Sequence, residues 1–382
     1  MTNNQITHFH GIDIMRSMAC IMVLVIHACE CYYISNFYSS GSIETLNIAQ
    51  WHEEALWAGI IGSVCRCCVP LFVMISGFLL LPMDYRMTMA LFYRKRAKRV
   101  LIPLFVWTVV YAVYSAFKYG YQLNTLDDYA VYIMSKVCYF FVNFPSEIGH
   151  LWYPYMYIGL CLFIPILSPW VERATKNEMH VFLGLWCISL LLPYIHLLWP
   201  EVWGECYWNT DGILYHFSGF IGYLIAGAYC RKFLYANDEK YFGKGLVFAI
   251  HGYALTLGGF IYQLNNLKPE AFNYSYYFQN FEVTWMFNNI SIGLLTIGVF
   301  LMLFKLPIKR LPAIVCEFSR LSYGIYLCHV MLLTWFYETL IRDTALPTPC
   351  KILSIAVLTI VSSYLLVKAL SYLPKSKWVV GN

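Results

Sequence analysis

Long apolar stretches recur along the chain and leave only short polar segments between them. An α-helix needs about 20 apolar residues to cross the hydrocarbon core of a bilayer, and ten stretches approach that length. They run roughly over 11–34, 55–82, 100–118, 150–169, 181–199, 213–231, 245–263, 285–304, 319–338 and 351–373. The pattern predicts an all-α integral membrane protein with about ten transmembrane helices. A further apolar stretch, 128–143, is too short to cross, and we expect it to be interfacial or re-entrant.

The Lys and Arg residues are sorted between alternate loops. Most of them lie in the segments 83–99, 170–180, 231–244 and 305–318 and in the C-terminal tail. The alternate loops hold only Lys136, Lys268 and Arg342. Cytoplasmic loops carry the excess of positive charge, so we expect both termini in the cytoplasm. We also expect the first apolar stretch to be a retained helix, and residues 1–382 to form one domain without an appended soluble domain.

The composition agrees with a membrane protein. Of the 382 residues, 60% are hydrophobic and 12% charged, against about 25% charged in soluble domains. This excludes a soluble enzyme, a secreted domain and a disordered scaffold. The net charge of +5 does not indicate a nucleic-acid partner, because the cations are distributed by topology. The lipid bilayer is the expected environment.

The cysteines do not predict a metal site. Most of the 14 lie in apolar stretches, where cysteine behaves as a small hydrophobic residue. The run Cys65-Arg66-Cys67-Cys68 lacks the ligand spacing of a zinc site, so we predict no metal. A disulfide between Cys31 and Cys206 stays open.

The first predicted helix carries the ionisable residues Asp13, Arg16, His27 and Glu30. Arg16 and His27 are eleven positions apart, which places them within about 20° of each other on the helix and about 16 Å apart along it. Asp13 and Glu30 each lie three positions from one of them, within reach of an ion pair. Ionisable groups at membrane depth are costly and indicate function. The alternative is an interfacial ion pair and a histidine that only packs.

Other polar residues fall inside predicted spans. Arg66 precedes Pro70, which is expected to kink the second helix. His150 and Trp152 open the fourth span, and His329 lies near the middle of the ninth. Arg66 is either structural or a ligand for an anionic group. Trp152 can also be an interfacial anchor, and His329 a packing residue.

These residues fall in an order that resembles the acyltransferase-3 family of membrane O-acyltransferases. The resemblance rests on four motifs: Arg16 and His27 with ten residues between them, the stretch 66–80 ending in Ile-Ser-Gly-Phe-Leu-Leu, His150-Leu-Trp-Tyr, and Ser322-Tyr-Gly-Ile-Tyr-Leu-Cys-His329. It covers nearly the whole chain and is greatest with the small branch that lacks an extra domain. It implies a multi-pass protein of the bacterial inner membrane, a cytoplasmic acyl-CoA donor (commonly acetyl-CoA), a glycan or lipid-linked saccharide as acceptor, and a need for Arg16, His27 and Arg66.

On this basis we hypothesise a division of roles. His27 is the general base oriented by Glu30, or forms a covalent acyl-histidine, and His329 assists catalysis. The donor is bound by the basic cluster Arg94, Arg96 and Arg99 and, deeper in the membrane, by Arg16 and Arg66. His150 and Trp152 contact the acceptor. We expect no bound cofactor beyond the acyl-CoA co-substrate.

Two other classes of function remain open at this stage. A proton-coupled transporter or flippase for a glycan or small metabolite would also carry buried charges and a kinked helix. A catalytically inactive membrane partner of a glycan-synthesis complex is the third reading. The identity of the acceptor, the length of the acyl group and the oligomeric state are not determined by the sequence.

Overall fold

The computed structural model describes residues 9–33, 48–119, 123–143, 146–199, 212–266 and 282–381, and within them the regular structure is helical, without strands. The outward loops 35–54, 200–212 and 264–284 lie largely outside the described residues, as does Cys206. The helices are α1 (His10–Tyr33), α2 (Ile48–Cys65), α3 (Cys68–Leu80), α4 (Met89–Tyr119), α5 (Leu126–Tyr139), α6 (Trp152–Arg173), α7 (Lys176–Ser189), α8 (Leu192–Leu198), α9 (Ile221–Tyr229), α10 (Phe242–Asn266), α11 (Ile290–Leu303), α12 (Ala313–Phe336), α13 (Thr348–Ser371) and α14 (Lys377–Val380).

The prediction of an all-α integral membrane protein with about ten transmembrane helices is confirmed. Among the described residues, nine helices are long and apolar enough to cross a membrane. The exception is the predicted span 213–231, where the helix begins only at Ile221 and ends in a π-helical turn, Cys230–Leu234. Gly219 adopts a φ of +78°, a left-handed conformation that interrupts a helix. Before it the chain forms only a short 3₁₀-helix, Tyr215–Phe217, instead of a continuous α-helix.

Several predicted boundaries shift for identifiable reasons. The second span is two helices, α2 and α3, separated at Arg66 and Cys67. Pro70 lacks the N–H that would bond to the carbonyl of Arg66, and its ring crowds that carbonyl. The third span begins at Met89 instead of 100, so the basic cluster lies on a helix and not in a loop. The fifth span is broken at 190–191 between α7 and α8.

The short apolar stretch forms α5, a separate helix of 14 residues. Thr125 and Asp128 cap its start reciprocally. The Thr125 hydroxyl and the backbone N–H groups of Thr125 and Asn124 hold the pKa of the Asp128 carboxyl below its usual value. Leu126, 89% exposed, and other apolar side chains leave one face of α5 uncovered. Its interfacial location stays a prediction.

The chain forms two compact units. The first contains the residues up to Leu81, Trp170–Ser319 and Ala345–Ser354, and the second contains Pro82–Pro169, Arg320–Thr344 and the residues from Ile355. Arg16, His27, Glu30 and Arg66 belong to the first unit. The basic cluster of α4, His150, Trp152 and His329 belong to the second. The prediction of a single domain stays a prediction.

Glycines allow close helix packing within the first unit. The antiparallel helices α10 and α11 approach where Gly252 lies against the backbone of Leu295, and Gly298 against that of Ala249. A Cβ atom at either glycine would overlap these backbone atoms. Small residues at such contacts are the usual means by which membrane helices pack.

Two of the cations that predict topology also cap helices. Arg231 donates to the carbonyl oxygens of Phe78 and Leu79 at 2.9 and 3.0 Å, at the end of α3. Lys232 donates at 2.7–2.8 Å to three carbonyl oxygens at the end of α6, those of Val171, Glu172 and Ala174. The last carbonyls of a helix have no partner within it, so these side chains satisfy groups that would otherwise need water.

Replacing Gly252 by Val tests the packing of α10 on α11. The added side chain would overlap backbone that cannot rotate away, and overpacking of this kind costs about 1–3 kcal/mol of stability. We expect a lower midpoint of thermal unfolding in detergent. Gly258→Val is the matched control, because a Cβ at Gly258 on the same helix meets nothing within 4 Å. Equal melting of the two variants would contradict the packing described here.

Candidate functional site

The helix α1 presents its ionisable residues on one side. It is continuous from His10 to Tyr33, so Arg16 and His27 lie on one face, about 16 Å apart along the axis. The opposite face carries apolar side chains that are partly or fully exposed, namely Ile14, Met18, Ile21 and Val25. The two functional candidates therefore point away from the side of α1 that is least covered.

At the N-terminal end of this face, Arg16 is part of a three-residue network. Its Nη1 atom donates to Asp13 Oδ1 at 3.3 Å and to Ser319 Oγ at 3.2 Å. The Ser319 hydroxyl in turn donates to Asp13 Oδ1 at 3.0 Å. The side chains of Arg16 and Asp13 remain 29% and 17% exposed, so the guanidinium is held in place but accessible.

At the C-terminal end of the same face, His27 and Glu30 form a pair. His27 Nδ1 and Glu30 Oε2 are 2.6 Å apart, and the two side chains are 20% and 29% exposed. When Nδ1 carries the proton and donates to the carboxylate, the lone pair of the imidazole is on Nε2. This is the arrangement in which a carboxylate orients a histidine that accepts a proton from a substrate.

Arg66 lies at the break between α2 and α3 and is 7% exposed. Its Nη2 atom donates to the Tyr33 hydroxyl at 3.2 Å and is 3.6 Å from Glu282 Oε1. The Tyr33 hydroxyl donates to the same Glu282 oxygen at 2.6 Å. Glu282 is therefore the ion-pair partner of Arg66 and also the hydrogen-bond acceptor of the tyrosine.

The aromatic ring of Trp285 lies over the guanidinium of Arg66. Its central carbon is 4.3 Å from the centroid of the Trp285 ring, a distance that gives a cation–π interaction. Trp285 is fixed in turn by a 2.9 Å hydrogen bond to Ser63 Oγ and by stacking on Phe260, with 4.3 Å between ring centroids. The indole is therefore held at its N–H edge by Ser63 and on a face by Phe260.

The Nε atom of Arg66 is buried and has no hydrogen-bond partner among the described residues. Leaving a buried donor unsatisfied costs about 1–3 kcal/mol. Through its bond to Tyr33, which is three positions after Glu30 on α1, Arg66 lies near the His27–Glu30 pair. An unsatisfied cationic donor beside a candidate base is an arrangement that a ligand oxygen would complete.

Sequence reasoning missed Tyr33, Glu282, Trp285 and Ser319. Tyr33 and Glu282 are 249 positions apart, and Arg16 and Ser319 are 303 apart. In the sequence, Glu282 lies in the loop before the apolar stretch 285–304, where a single carboxylate does not indicate a functional site. Contacts over such separations leave no periodic pattern in the sequence that would reveal them.

In the second unit, His150 and His329 lie together. Their ring centroids are 5.5 Å apart in an edge-to-face arrangement, with 7% and 0% of the residues exposed. His329 Nδ1 pairs with the Tyr326 carbonyl, and the Tyr326 hydroxyl donates to the carbonyl of His150. Tyr111 packs against the His150 ring at 4.8 Å. Two histidines from distant parts of the sequence thus form one buried cluster, while their roles stay predictions.

The neighbouring candidate Trp152 is the first residue of α6 and is half-buried against Tyr153, with 6.2 Å between ring centroids. This position suits an aromatic anchor as well as a saccharide contact. Its assignment to the acceptor stays a prediction.

The basic cluster occupies the first turns of α4. Arg94 is exposed. The Arg96 guanidinium lies 5.3 Å from the centroid of the Phe92 ring, and Arg99 Nε donates to the Gly381 carbonyl at 3.3 Å. One of the three proposed donor ligands is therefore also a contact to the C-terminal segment.

A cavity of about 700 Å³ lies in the first unit at the start of α1. Residues 9–11, the segment 235–242 and residues between 301 and 308 line it. Its polar lining includes His10, Asp238, Lys240 and Lys305. The sequence analysis predicts that the loops forming this cavity lie on the cytoplasmic side of the membrane.

The described residues contain no group of three or more histidine, cysteine or acidic side chains placed to hold a metal ion. Cys31 is buried and its Sγ donates to the carbonyl oxygen of His27 at 3.6 Å, and the disulfide considered for it involves Cys206, outside the described part of the chain.

Comparison with protein families gives one match. The model of an acyltransferase domain, the acyltransferase-3 type, matches residues 9–368. Comparisons with curated proteins and with solved structures find no match. The match covers nearly the whole chain and includes both units, so this membrane protein belongs to the acyltransferase-3 family.

Proposed function

We propose that the chain transfers an acyl group, with acetyl as the first candidate, from cytoplasmic acyl-CoA to a hydroxyl group of a cell-surface or lipid-linked glycan in a bacterial inner membrane. Membership of a membrane acyltransferase family supports the type of chemistry. The observation that carries the proposal is the 2.6 Å pair of His27 and Glu30 on the face of α1 that also holds Arg16.

In this proposal His27 is the general base. Glu30 holds the imidazole by Nδ1, so that Nε2 accepts the proton of the acceptor hydroxyl as its oxygen attacks the thioester. The same carboxylate stabilises the imidazolium that forms. Transfer through a covalent acyl-His27 is the variant of this mechanism, with the same two residues.

The donor enters from the cytoplasmic side in this scheme. The cavity at the start of α1 offers a volume for part of it, and Arg16 follows one to two helical turns further along the same helix. Cys20 and Val23, which lie between Arg16 and His27 on this face, are buried. The acyl arm can therefore reach His27 only when the packing around these two residues opens.

The residues of the second unit complete the proposal. The basic cluster of α4 binds the phosphate groups of the donor, and Arg94 and Arg99 are exposed. The pair His150 and His329 and the neighbouring Trp152 contact the acceptor. Because the two histidines are buried, we expect them to orient the acceptor by direct contact and not through water.

The proposal is tested on cells with and without the gene. Mass spectrometry of surface glycans and lipid-linked saccharides should show, only in the presence of the protein, a species heavier by one acyl group. Purified protein should release free CoA from acetyl-CoA when that saccharide fraction from gene-deleted cells is added. Glycans of equal mass in both strains would refute the proposal.

We predict that His27→Ala lowers acyl transfer about 100-fold or more, because general base catalysis contributes on that order. Glu30→Gln should give a smaller loss, since it leaves the base but weakens its orientation. The measurement is transfer of label from radioactive acetyl-CoA in membrane vesicles, at equal amounts of protein. His251→Ala is the control, an exposed histidine of α10 whose ring bonds to the Val247 carbonyl. Full activity of His27→Ala would remove the histidine from the mechanism.

Replacing Arg94, Arg96 and Arg99 together by Gln should raise the apparent KM for acetyl-CoA, because three cations that face the anionic donor are lost. The maximal rate should change less than the KM. Saturation curves on membrane vesicles with quantified protein give both values. An unchanged KM accompanied by less protein in the membrane would assign the cluster to topology alone.

A further inference from the structure

We propose that Arg66 Nε is the hydrogen-bond donor for the thioester carbonyl oxygen of the donor, and that Glu282, Tyr33 and Trp285 are the residues that position it. This inference rests on the proposed acyl transfer and specifies which atom of the donor Arg66 contacts. The hydroxyl attacks the carbonyl carbon, and the oxygen that becomes negative is the one bonded to Arg66.

The Nε atom of Arg66 is the unsatisfied donor on which the proposal depends. Arg66 is more than nine-tenths buried, and its Nε has no hydrogen-bond partner among the described residues. The other contacts of the guanidinium are provided by the protein: Nη2 donates to Tyr33, and the Trp285 ring covers one face. These contacts fix the orientation of the group and leave the Nε–H available for an external oxygen.

The charge of Arg66 has a partner, Glu282, that does not occupy Nε. Glu282 Oε1 lies 3.6 Å from Arg66 Nη2, beyond hydrogen-bond distance, and instead accepts a 2.6 Å bond from Tyr33. The carboxylate therefore makes the buried cation tolerable without occupying Nε. A preorganised donor of this kind stabilises charge that develops in the transition state, because it needs no rearrangement when the charge appears.

A phosphate group does not suit this position. Arg66 is only 7% exposed, a burial at which a phosphate would lose most of its hydration. The Glu282 carboxylate lies 3.6 Å from the same guanidinium and would repel a dianion. A thioester carbonyl is neutral on arrival and becomes an anion only during the reaction.

Arg66 also lies near the proposed base, His27. It bonds to Tyr33, which is three positions after Glu30 on α1, and Glu30 is 2.6 Å from the ring of His27. The hydroxyl proton passes to His27 as the new C–O bond forms, and the oxyanion is held at Arg66 Nε. When the C–S bond breaks, the CoA sulfur takes the proton from the imidazolium, which leaves the ester, free CoA and a neutral histidine.

The test separates kcat from KM in three variants, Arg66→Lys, Glu282→Gln and Tyr33→Phe. Lysine keeps the charge but has no Nε–H at this place, so we expect Arg66→Lys to lower kcat about 100-fold or more, as for loss of an oxyanion donor. The KM for acetyl-CoA should stay unchanged. Glu282→Gln and Tyr33→Phe should each lower kcat by less, again without a change in KM. Glu338→Gln, which removes an exposed ion pair with Lys118, is the matched control and should leave both constants unchanged.

The rates come from membrane vesicles that contain the full chain and radioactive acetyl-CoA, and melting in detergent with and without CoA shows whether each variant folds and binds. A raised KM with unchanged kcat in Arg66→Lys would overturn the inference and make Arg66 a donor-binding charge. Glu282→Gln and Tyr33→Phe variants that behave like Glu338→Gln would overturn the positioning roles. Absence of transfer by the wild-type protein would instead refute the proposed function.

Discussion

A charge inside a membrane is stable only when a partner lies close to it, and this constraint organises the first unit. Asp13 and Arg16 pair at one end of α1, His27 and Glu30 at the other, and Arg66 with Glu282 beside them. Each pair contains a group that cannot be buried alone without a cost of several kcal/mol. The pairs therefore hold reactive side chains at membrane depth in a protein that is otherwise strongly apolar.

The same constraint explains the irregular parts of the backbone. Pro70 interrupts the second span at Arg66, and Gly219 interrupts the chain before α9. Breaks at membrane depth are tolerated where protein groups satisfy the freed backbone. The Trp186 indole supplies one such bond, to the carbonyl of Gly219 at 3.1 Å. Arg231 and Lys232 bond in the same way to the free carbonyl oxygens at the ends of α3 and α6. Cations that the sequence analysis uses to predict topology therefore also cap helices.

Much of the fold, and the pairs of the site that lie within α1, can be predicted from the sequence for physical reasons. The apolar stretches report the thickness of the bilayer, and the pairs within α1 follow from the helical repeat. The short helix α9 could not be predicted from the apolar stretch 213–231, since hydrophobicity does not register the left-handed Gly219. The start of α4 was placed too late, because charged residues of a helix that extends beyond the bilayer resemble a loop. Tyr33, Glu282, Trp285 and Ser319 meet their partners only through tertiary packing, and no local rule identifies them.

The central claim is that the acyl end of the donor reaches the outer part of α1, beside His27 and Arg66. Photolabelling with an acyl-CoA that carries a diazirine on the acyl chain tests this most directly, with excess acetyl-CoA as competitor and peptide mass spectrometry to locate the label. The account predicts competed label on peptides from the outer half of α1 or around the break between α2 and α3. Label confined to the second unit, or to the cytoplasmic start of α1, would contradict it.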